Sequence, residues 1–437
     1  MSSIRLHRLA ALVLLVTLAR NAAFAEAPPR PDPEAAGLKP AALRRLDALL
    51  QDAVERRQIA GGVVLLARHG KLGHIKAIGW RDVEAKQSMT PDTLFRIASM
   101  TKPVTSAAVM MLVDDGKIRL NDPLSKYVPE FKETKVLVPS KRDGEADALK
   151  PLEREITIHD LLTHTSGITY RFWGQKPWCD RYREGGVSDG LVHPSGTIGD
   201  NINRLAKQPL MFQPGHSWMY GLSTDVLGRV VEVASEKDLA TFCRERIFRP
   251  LKMTDTFFFV PETKKERLAT VYTVGMDKKI VPTGDKPVTQ GELVYSATYP
   301  CMKDGKYFSG GAGLVSTAPD YARFLQMLLN GGELDGVRLL KAETVKQMTI
   351  NQIGDKKLAG GDHGDRFGYG FGVLTEAGKN RDVASVGSYS WGGFFHTYFW
   401  VDPQKELIGV LMTQLYPAGH LSLRNDFKKR AYEALAE

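Results

Sequence analysis

Stretches rich in β-forming residues stand at opposite ends of this chain, around 61–80 and 383–414, and most of the sequence between them has helical character. Isolated pairs of strands are marginal in water, so short apolar runs need further strands and a covered face. The simplest solution joins both ends in one antiparallel sheet covered by helices and leaves the middle as an insertion. The fold class expected is α/β in the broad sense, more closely α+β. Residues 26–98 with 300–437 form the sheet-containing domain, and 99–299 a mainly helical one. A length of 437 residues accommodates two such domains.

Local pattern fills in this outline. Leu43, Leu46, Leu50 and Val54 recur at three to four residues after Pro40, which predicts a helix. The runs 61–68 and 71–80, separated by His69-Gly70, read as a hairpin. Helical period returns over 99–115, with Val104, Ala108, Met111 and Leu112 on one face and Gly116 as the stop. Residues 132–155 are charged and irregular and read as a surface loop. The stretch 156–260 reads as helical, interrupted by a long aromatic-rich loop at 169–197. A helix is expected at 319–330, then strands at 383–389, 394–401 and 407–414 with a turn at Asp402-Pro403, and a closing helix from about 421. A cleft between the two parts is the default place for a site.

The first 25 residues have the form of a secretory signal: Arg5 and Arg8, an apolar core over 9–19, and Ala23-Phe24-Ala25 as a small-residue cleavage site. The apolar core is too short for a membrane span, so an exported, periplasmic or secreted protein cut after Ala25 is expected, without a stable membrane anchor. Cleavage would remove three arginines and no acid, lowering the formal charge from +9 to +6. The basic runs Lys264-Lys265 and Lys428-Lys429-Arg430 are short and lie near acids, which excludes a nucleic-acid surface. Hydrophobic and charged fractions of 43% and 25% exclude a disordered or collagen-like chain. Three cysteines, Cys179, Cys243 and Cys301, permit at most one disulfide. Cys243, at helical spacing with Leu239 and Ile247, reads as a core residue. Whether Cys179 and Cys301 meet is left open by the sequence.

Chemistry concentrates in Phe95-Arg96-Ile97-Ala98-Ser99-Met100-Thr101-Lys102. Ser99 stands at a helix entrance with Lys102 three residues on, so the amine can reach the hydroxyl from the same helical face. A serine needs a base to become a nucleophile, and a lysine can be that base once burial and nearby charge have tuned it. The positive end of the helix also favours anionic intermediates. A competing signal, Gly186-Val187-Ser188-Asp189-Gly190, has the GxSxG form of another hydrolase class. It lacks the preceding apolar strand, so Ser188 reads as a loop residue. Asp362, His363 and Asp365 lie among glycines and read as loop rather than metal site. His164 reads as structural, and His396 has no assignable role. Tyr170, Phe172, Trp173 and Trp178 give the long loop either an apolar substrate wall or a small core of its own.

Further segments occur in order: Leu161-Leu162-Thr163-His164-Thr165-Ser166-Gly167-Ile168, then Phe212-Gln213-Pro214-Gly215 ahead of Trp218-Met219-Tyr220-Gly221-Leu222-Ser223-Thr224-Asp225, then Gly310-Gly311-Ala312-Gly313-Leu314, and finally Ser390-Trp391-Gly392-Gly393-Phe394. Together with the Ser99 segment they resemble the serine β-lactamase/penicillin-binding superfamily, most closely class C β-lactamases and family VIII carboxylesterases. The resemblance implies an antiparallel sheet flanked by helices with an inserted helical domain. It implies Ser99 as the acylated nucleophile, Lys102 as the lysine of SxxK, and Tyr220 as the tyrosine of YxN sharing a proton network with that lysine. The backbone N–H groups of Ser99 and Phe394 would form the oxyanion hole. Trp391-Gly392-Gly393 takes the place of the KTG motif on the edge strand, its glycines leaving room for substrate. Leu222 replaces the asparagine of YxN and Trp391 the lysine of KTG, so both residues would present apolar surface to the substrate. No metal or cofactor is implied.

The activity expected is hydrolysis of small carboxylic esters through an acyl-enzyme on Ser99. The alternatives are a β-lactamase or D,D-peptidase using the same groups, transfer of the acyl group to another nucleophile, and a non-catalytic peptide- or glycan-binding homologue. Oligomeric state is not legible.

Overall fold

The computed structural model describes residues 30–436 apart from 141, 143–145, 173–175, 195, 360 and 362. The signal-like segment therefore lies outside the described residues. Eight strands form one antiparallel sheet in the order Asp365–Phe367, Gly372–Leu374, Tyr389–Gly392, Tyr398–Asp402, Leu407–Met412, Gly61–Arg68, Lys71–Asp82, Gln87–Ser88. The two ends of the sequence meet inside it, with Gly61–Arg68 paired to Leu407–Met412 from Val63↔Met412 through Arg68↔Leu407. The hairpin at His69-Gly70 turns with φ of 53° and 69°, the left-handed pair that a two-residue turn needs to match strand twist.

Side-chain alternation along these strands separates two cores. Val63, Leu65, Val410 and Met412 face one layer, and Val64, Leu66, Leu411 and Trp400 face the other. The second layer is closed by the helices Pro40–Glu55 and Leu423–Glu433, which pack on each other and bring Leu43, Leu46, Leu50 and Phe427 onto the sheet. Gly409 lets the Trp400 indole lie across its strand, since a Cβ there would come within 2.1 Å of the ring. On the opposite face, helix Ala318–Leu329 lies against Leu407–Met412 and Gly61–Arg68. One continuous core joins this face to the helical part, linking Val63 and Val410 to Val104 and Leu227.

Helix Thr101–Asp114 runs through that core. Every residue from Thr101 to Leu112 is buried, so it has no solvent face, and the one-sided stripe expected from sequence understates its position. Helix Ser223–Ser235 packs along it. The stretch expected as an irregular loop at 132–155 contains a two-stranded ribbon, Lys135–Val138 with Ala148–Pro151, and the long aromatic loop contains helix Trp178–Glu184. No disulfide joins Cys179, Cys243 and Cys301, and Cys243 is fully buried as expected. Among the described residues no helix is long and apolar enough to cross a membrane.

Candidate active site

Ser99 is positioned by backbone on both sides. Upstream, strand Phe95–Arg96 pairs with Val315–Ser316, and Gln414 brackets Arg96 by accepting from its N–H (3.1 Å) and donating to its carbonyl (3.1 Å). The Arg96 guanidinium is buried and donates to Ala269 O at 2.7 Å. The chain then turns sharply, with Ala98 at a φ of 41°, a region that costs an L-residue about 1–2 kcal/mol. A single 3₁₀ turn, Ala98–Met100, carries Ser99, and the α-helix begins only at Thr101. Thr101 Oγ1 accepts from Leu314 N at 3.0 Å, which ties the helix entrance to the Gly310–Leu314 loop.

Lys102 is fully buried and its Nζ meets three oxygens: Gly311 O at 2.8 Å, Tyr170 Oη at 3.0 Å and Ser99 Oγ at 3.4 Å. Its hydrogen-bonded tyrosine is thus Tyr170. Tyr220, the tyrosine singled out from the sequence, instead lays its ring against the amine, 4.5 Å from Nζ to the centroid. Tyr220 Oη accepts from Trp391 Nε1 at 3.1 Å. Because an indole N–H only donates, the phenolic proton of Tyr220 remains available to another acceptor. Burial pushes the Tyr170 phenol well above its ordinary pKa, with Tyr220 and Asp225 adding to the rise.

Asp225 lies behind this group. Its Oδ1 accepts from Ser309 Oγ at 2.7 Å and Tyr307 Oη at 3.2 Å. Burial raises its pKa, opposed by these bonds and by Lys102. Gly311 separates carboxylate from amine: a Cβ there would stand 2.4 Å from Asp225 Oδ2 and 3.4 Å from Lys102 Nζ. Neither Tyr170 nor Asp225 was assigned to the reacting group from sequence. A faint signal existed for Asp225, an acid directly before the apolar Val226 and Leu227 in the first turn of its helix.

Ser99 opens into a cavity of about 400 Å³. Tyr170, Phe172, Trp218, Tyr220, Leu358 and Trp391 supply much of its wall, with Asp189, Gly392, Gly393, Phe394 and Arg424 among the rest. The two readings of the aromatic loop divide between its members. Tyr170 and Phe172 stack at 5.0 Å and face the cavity, while Trp178 is buried and donates to Leu210 O at 3.2 Å. Trp173 lies outside the described residues.

The Trp391-Gly392-Gly393 segment does not lie on an edge strand, since two short strands lie outside it. The outer neighbour pairs only with Tyr389 and Ser390, however, so Trp391 and Gly392 still present one open backbone edge. Gly393 has a different reason from the one expected. A Cβ there would strike Thr397 Oγ1 at 2.1 Å and Ile97 O at 2.4 Å, so the close neighbour is the backbone leading into Ser99, not substrate. The following residues turn rather than continue as strand, with Gly393 N donating to Thr397 O at 2.8 Å. Phe394, at this turn, also lines the cavity.

Other candidates fall away from the cavity. Leu222 is fully buried in the core at the start of helix Ser223–Ser235 and is not part of the wall, in contrast to the exposed position on the substrate side that the resemblance implied. Ser188 is nearly buried in a loop, its Oγ accepting from Gly190 N at 3.3 Å. His164 packs its ring against Tyr220, Phe367 and Trp218, and burial, with Lys102 adding, holds it well below its ordinary pKa. His396 sits in the turn at a φ of 67°, with Nδ1 3.1 Å from Thr413 Oγ1. Asp362 is outside the described residues, and Asp365 opens an outer strand. Among the described residues no group of three His, Cys, Asp or Glu could hold a metal.

Comparison with known proteins bears on the family and the fold. The family described as Beta-lactamase matches residues 46–432. The chain is 35% identical over 391 residues to Esterase EstB of Burkholderia gladioli, covering 87% of this chain and 93% of that one. It is 29% identical over 386 residues to Lovastatin esterase of Penicillium rubens, covering 84% and 91%. Among solved structures, EstCE1, described as a hydrolase with promiscuous acyltransferase activity, superposes with a TM-score of 0.77 at 28% identity, covering 91% of this chain and 99% of that one. With a matching family, an eight-stranded antiparallel sheet and the Ser99–Lys102 pair at one cavity, the chain belongs to the beta-lactamase family of serine hydrolases and acyltransferases.

Proposed function

We propose that this protein hydrolyses small carboxylic esters through an acyl-enzyme on Ser99. The observation that carries the reading is the approach of Lys102 Nζ to within 3.4 Å of Ser99 Oγ at a cavity walled largely by aromatic rings. With its N–H groups held by Gly311 O and Tyr170 Oη, Lys102 turns its lone pair to Ser99 Oγ and takes the Oγ proton as the serine attacks the ester carbonyl. The N–H groups of Ser99 and Phe394 stabilise the oxyanion, a contribution typically of several kcal/mol. As the intermediate collapses, the C–O bond to the alcohol breaks, and Tyr220 donates its phenolic proton to the departing oxygen. Water then attacks the acyl carbon and gives a proton to the Tyr220 phenolate, the bond from that carbon to Ser99 Oγ breaks, and Lys102 returns its proton to Oγ, which releases the acid and restores all three groups. Tyr170 holds the amine in place. Trp391 offers ring surface where β-lactamases have a lysine, which favours short acyl and aryl groups at about 0.8 kcal/mol per buried methylene. Esters are therefore expected to be better substrates than penicillins or cephalosporins, which would use the same nucleophile.

The test is covalent labelling with a fluorophosphonate and mapping of the modified residue. Ser99 should carry the label; Ser99→Ala should lose labelling and turnover, and Ser188→Ala should keep both. A label on Ser188 would refute the assignment. Transfer of the acyl group to an alcohol is a second reading, favoured by the apolar wall and by the named activity of EstCE1. Product analysis with added alcohol separates transfer from hydrolysis. We propose also that the mature chain is exported, on the form of residues 1–25. N-terminal sequencing of the mature protein should begin at Glu26.

A further inference from the structure

The cavity wall contains a cation that the scheme above leaves unused. Arg424, in the first turn of the closing helix, lines the cavity beside Gly392, Gly393 and Phe394. Its Nη2 donates to Gly393 O at 2.8 Å, while its Nε is buried without an acceptor among the described residues. Two other bases of the same helix are paired, Lys428 with Asp382 at 2.6 Å and Arg430 with Glu433 at 2.7 Å. Arg424 has no carboxylate within 4 Å among the described residues, and its Cζ stands 5.9 Å from the Tyr398 ring centroid. Burial lowers its pKa to about 10, which still leaves it charged at neutral pH.

A partly buried guanidinium has lost hydration that one neutral carbonyl does not replace. Its remaining donors form a planar fork suited to a carboxylate. Support of Gly393 O needs only one N–H and no charge. The position is also informative, because Trp391 removes the cation expected on the site strand and Arg424 brings one to the same strand end from the closing helix. We propose that Arg424 binds a free carboxylate on the substrate, so that the preferred esters are those carrying a second, anionic group. This inference rests on the hydrolase reading of Ser99.

The test uses two matched pairs of esters. Mono-p-nitrophenyl glutarate against p-nitrophenyl pentanoate places the carboxylate on the acyl side, and 4-acetoxybenzoate against its methyl ester places it on the alcohol side. In at least one pair the wild type should favour the anionic member by tenfold or more in kcat/KM, which also tells on which side the carboxylate is read. Arg424→Gln should lower that ratio about tenfold to a hundredfold, as expected for one charge-assisted contact, and chiefly through KM. Arg424→Lys should restore part of it. Equal losses on anionic and neutral esters in Arg424→Gln would overturn the proposal and leave Arg424 as a positioning residue for Gly393. Should the variant fail to fold, wild-type ratios at or below one in both pairs overturn it alone. Failure of the hydrolase reading is distinct: no ester is then cleaved and Ser99 takes no label.

Discussion

At the scale of single residues, the site turns on how three oxygens share one amine. Lys102 Nζ is held by Gly311 O and Tyr170 Oη while it reaches Ser99 Oγ, so its direction is set before substrate arrives. Proton transfer by a positioned group is typically worth 10²–10⁴-fold. Lys102→Ala and Tyr220→Phe should therefore each lower kcat by about that factor with little change in KM. The double variant should lose far less than the product of the two, because groups acting as a unit fail together. Tyr170→Phe keeps the ring and removes one hydrogen bond, worth about 0.5–1.5 kcal/mol, so a loss of roughly tenfold is expected. Steady-state kinetics on these four variants and on the Lys102→Ala/Tyr170→Phe double decides the roles: a Tyr170→Phe defect as large as that of Tyr220→Phe, and equally non-additive with Lys102→Ala, would make Tyr170 the proton carrier. The Ser99–Lys102 contact was legible because three residues along a helix is a local relation. The Lys102–Tyr170 bond spans 68 residues and depends on the loop folding back, so spacing carried no trace of it.

Elements show a similar division. Strand Tyr389–Gly392 and the turn after it decide where Phe394 stands, and two adjacent glycines that read alike in the sequence do different things there. At Gly392 a Cβ would meet the movable end of Arg424 at 3.0 Å, whereas at Gly393 it would meet backbone at 2.4 Å. Gly393→Ala must push the turn away from Ile97, and with it the Phe394 N–H. Overpacking of this kind costs about 1–3 kcal/mol. Gly393→Ala should lower the melting temperature and reduce kcat well below that of Gly392→Ala; a Gly393→Ala enzyme with wild-type kcat would show that the Phe394 N–H does not need this anchor. The hairpin at His69-Gly70 was legible because a two-residue turn declares itself locally. The bend that interrupts the expected 394–401 strand was not. It relies on a left-handed His396, held by Thr413 just past the end of strand Leu407–Met412, and nothing in the composition of 394–401 announces it.

For the whole molecule, the pairing of distant ends followed from apolar runs that had no local partner, and the structure pairs them over six positions from Val63 to Arg68. The burial of every residue from Thr101 to Leu112 in helix Thr101–Asp114 was less legible, since a segment enclosed on every side has no amphipathic stripe to read. Enclosure on this scale also traps ionisable groups, and two of them act on stability in opposite senses. Burial, with Arg424 and His420 adding, holds His396 down to about 3. It therefore stays neutral in the folded protein while the unfolded chain takes up a proton below about 6.5. The stability this represents is present above that pH and is lost as pH falls toward 3. Burial pushes Asp189 up to about 7. It stays protonated in the folded protein while the unfolded chain ionises above about 3.9. Its contribution is complete below that value and is lost as pH rises toward 7. Each group alone gives a slope of about 1.4 kcal/mol per pH unit within its window, so between about pH 4 and 6.5 the two offset one another. Asp189→Asn removes the falling contribution, and its melting temperature should climb with pH across this window more steeply than that of the wild type. His396→Asn removes the rising contribution and should tilt the same curve the other way. Other buried groups, such as Asp320 and His164, are common to all three proteins and cancel in the differences. Melting temperatures taken every half unit from pH 4.5 to 7 are sufficient, and slopes that shift in the same direction, or not at all, would show that these two side chains do not set the pH response of the fold.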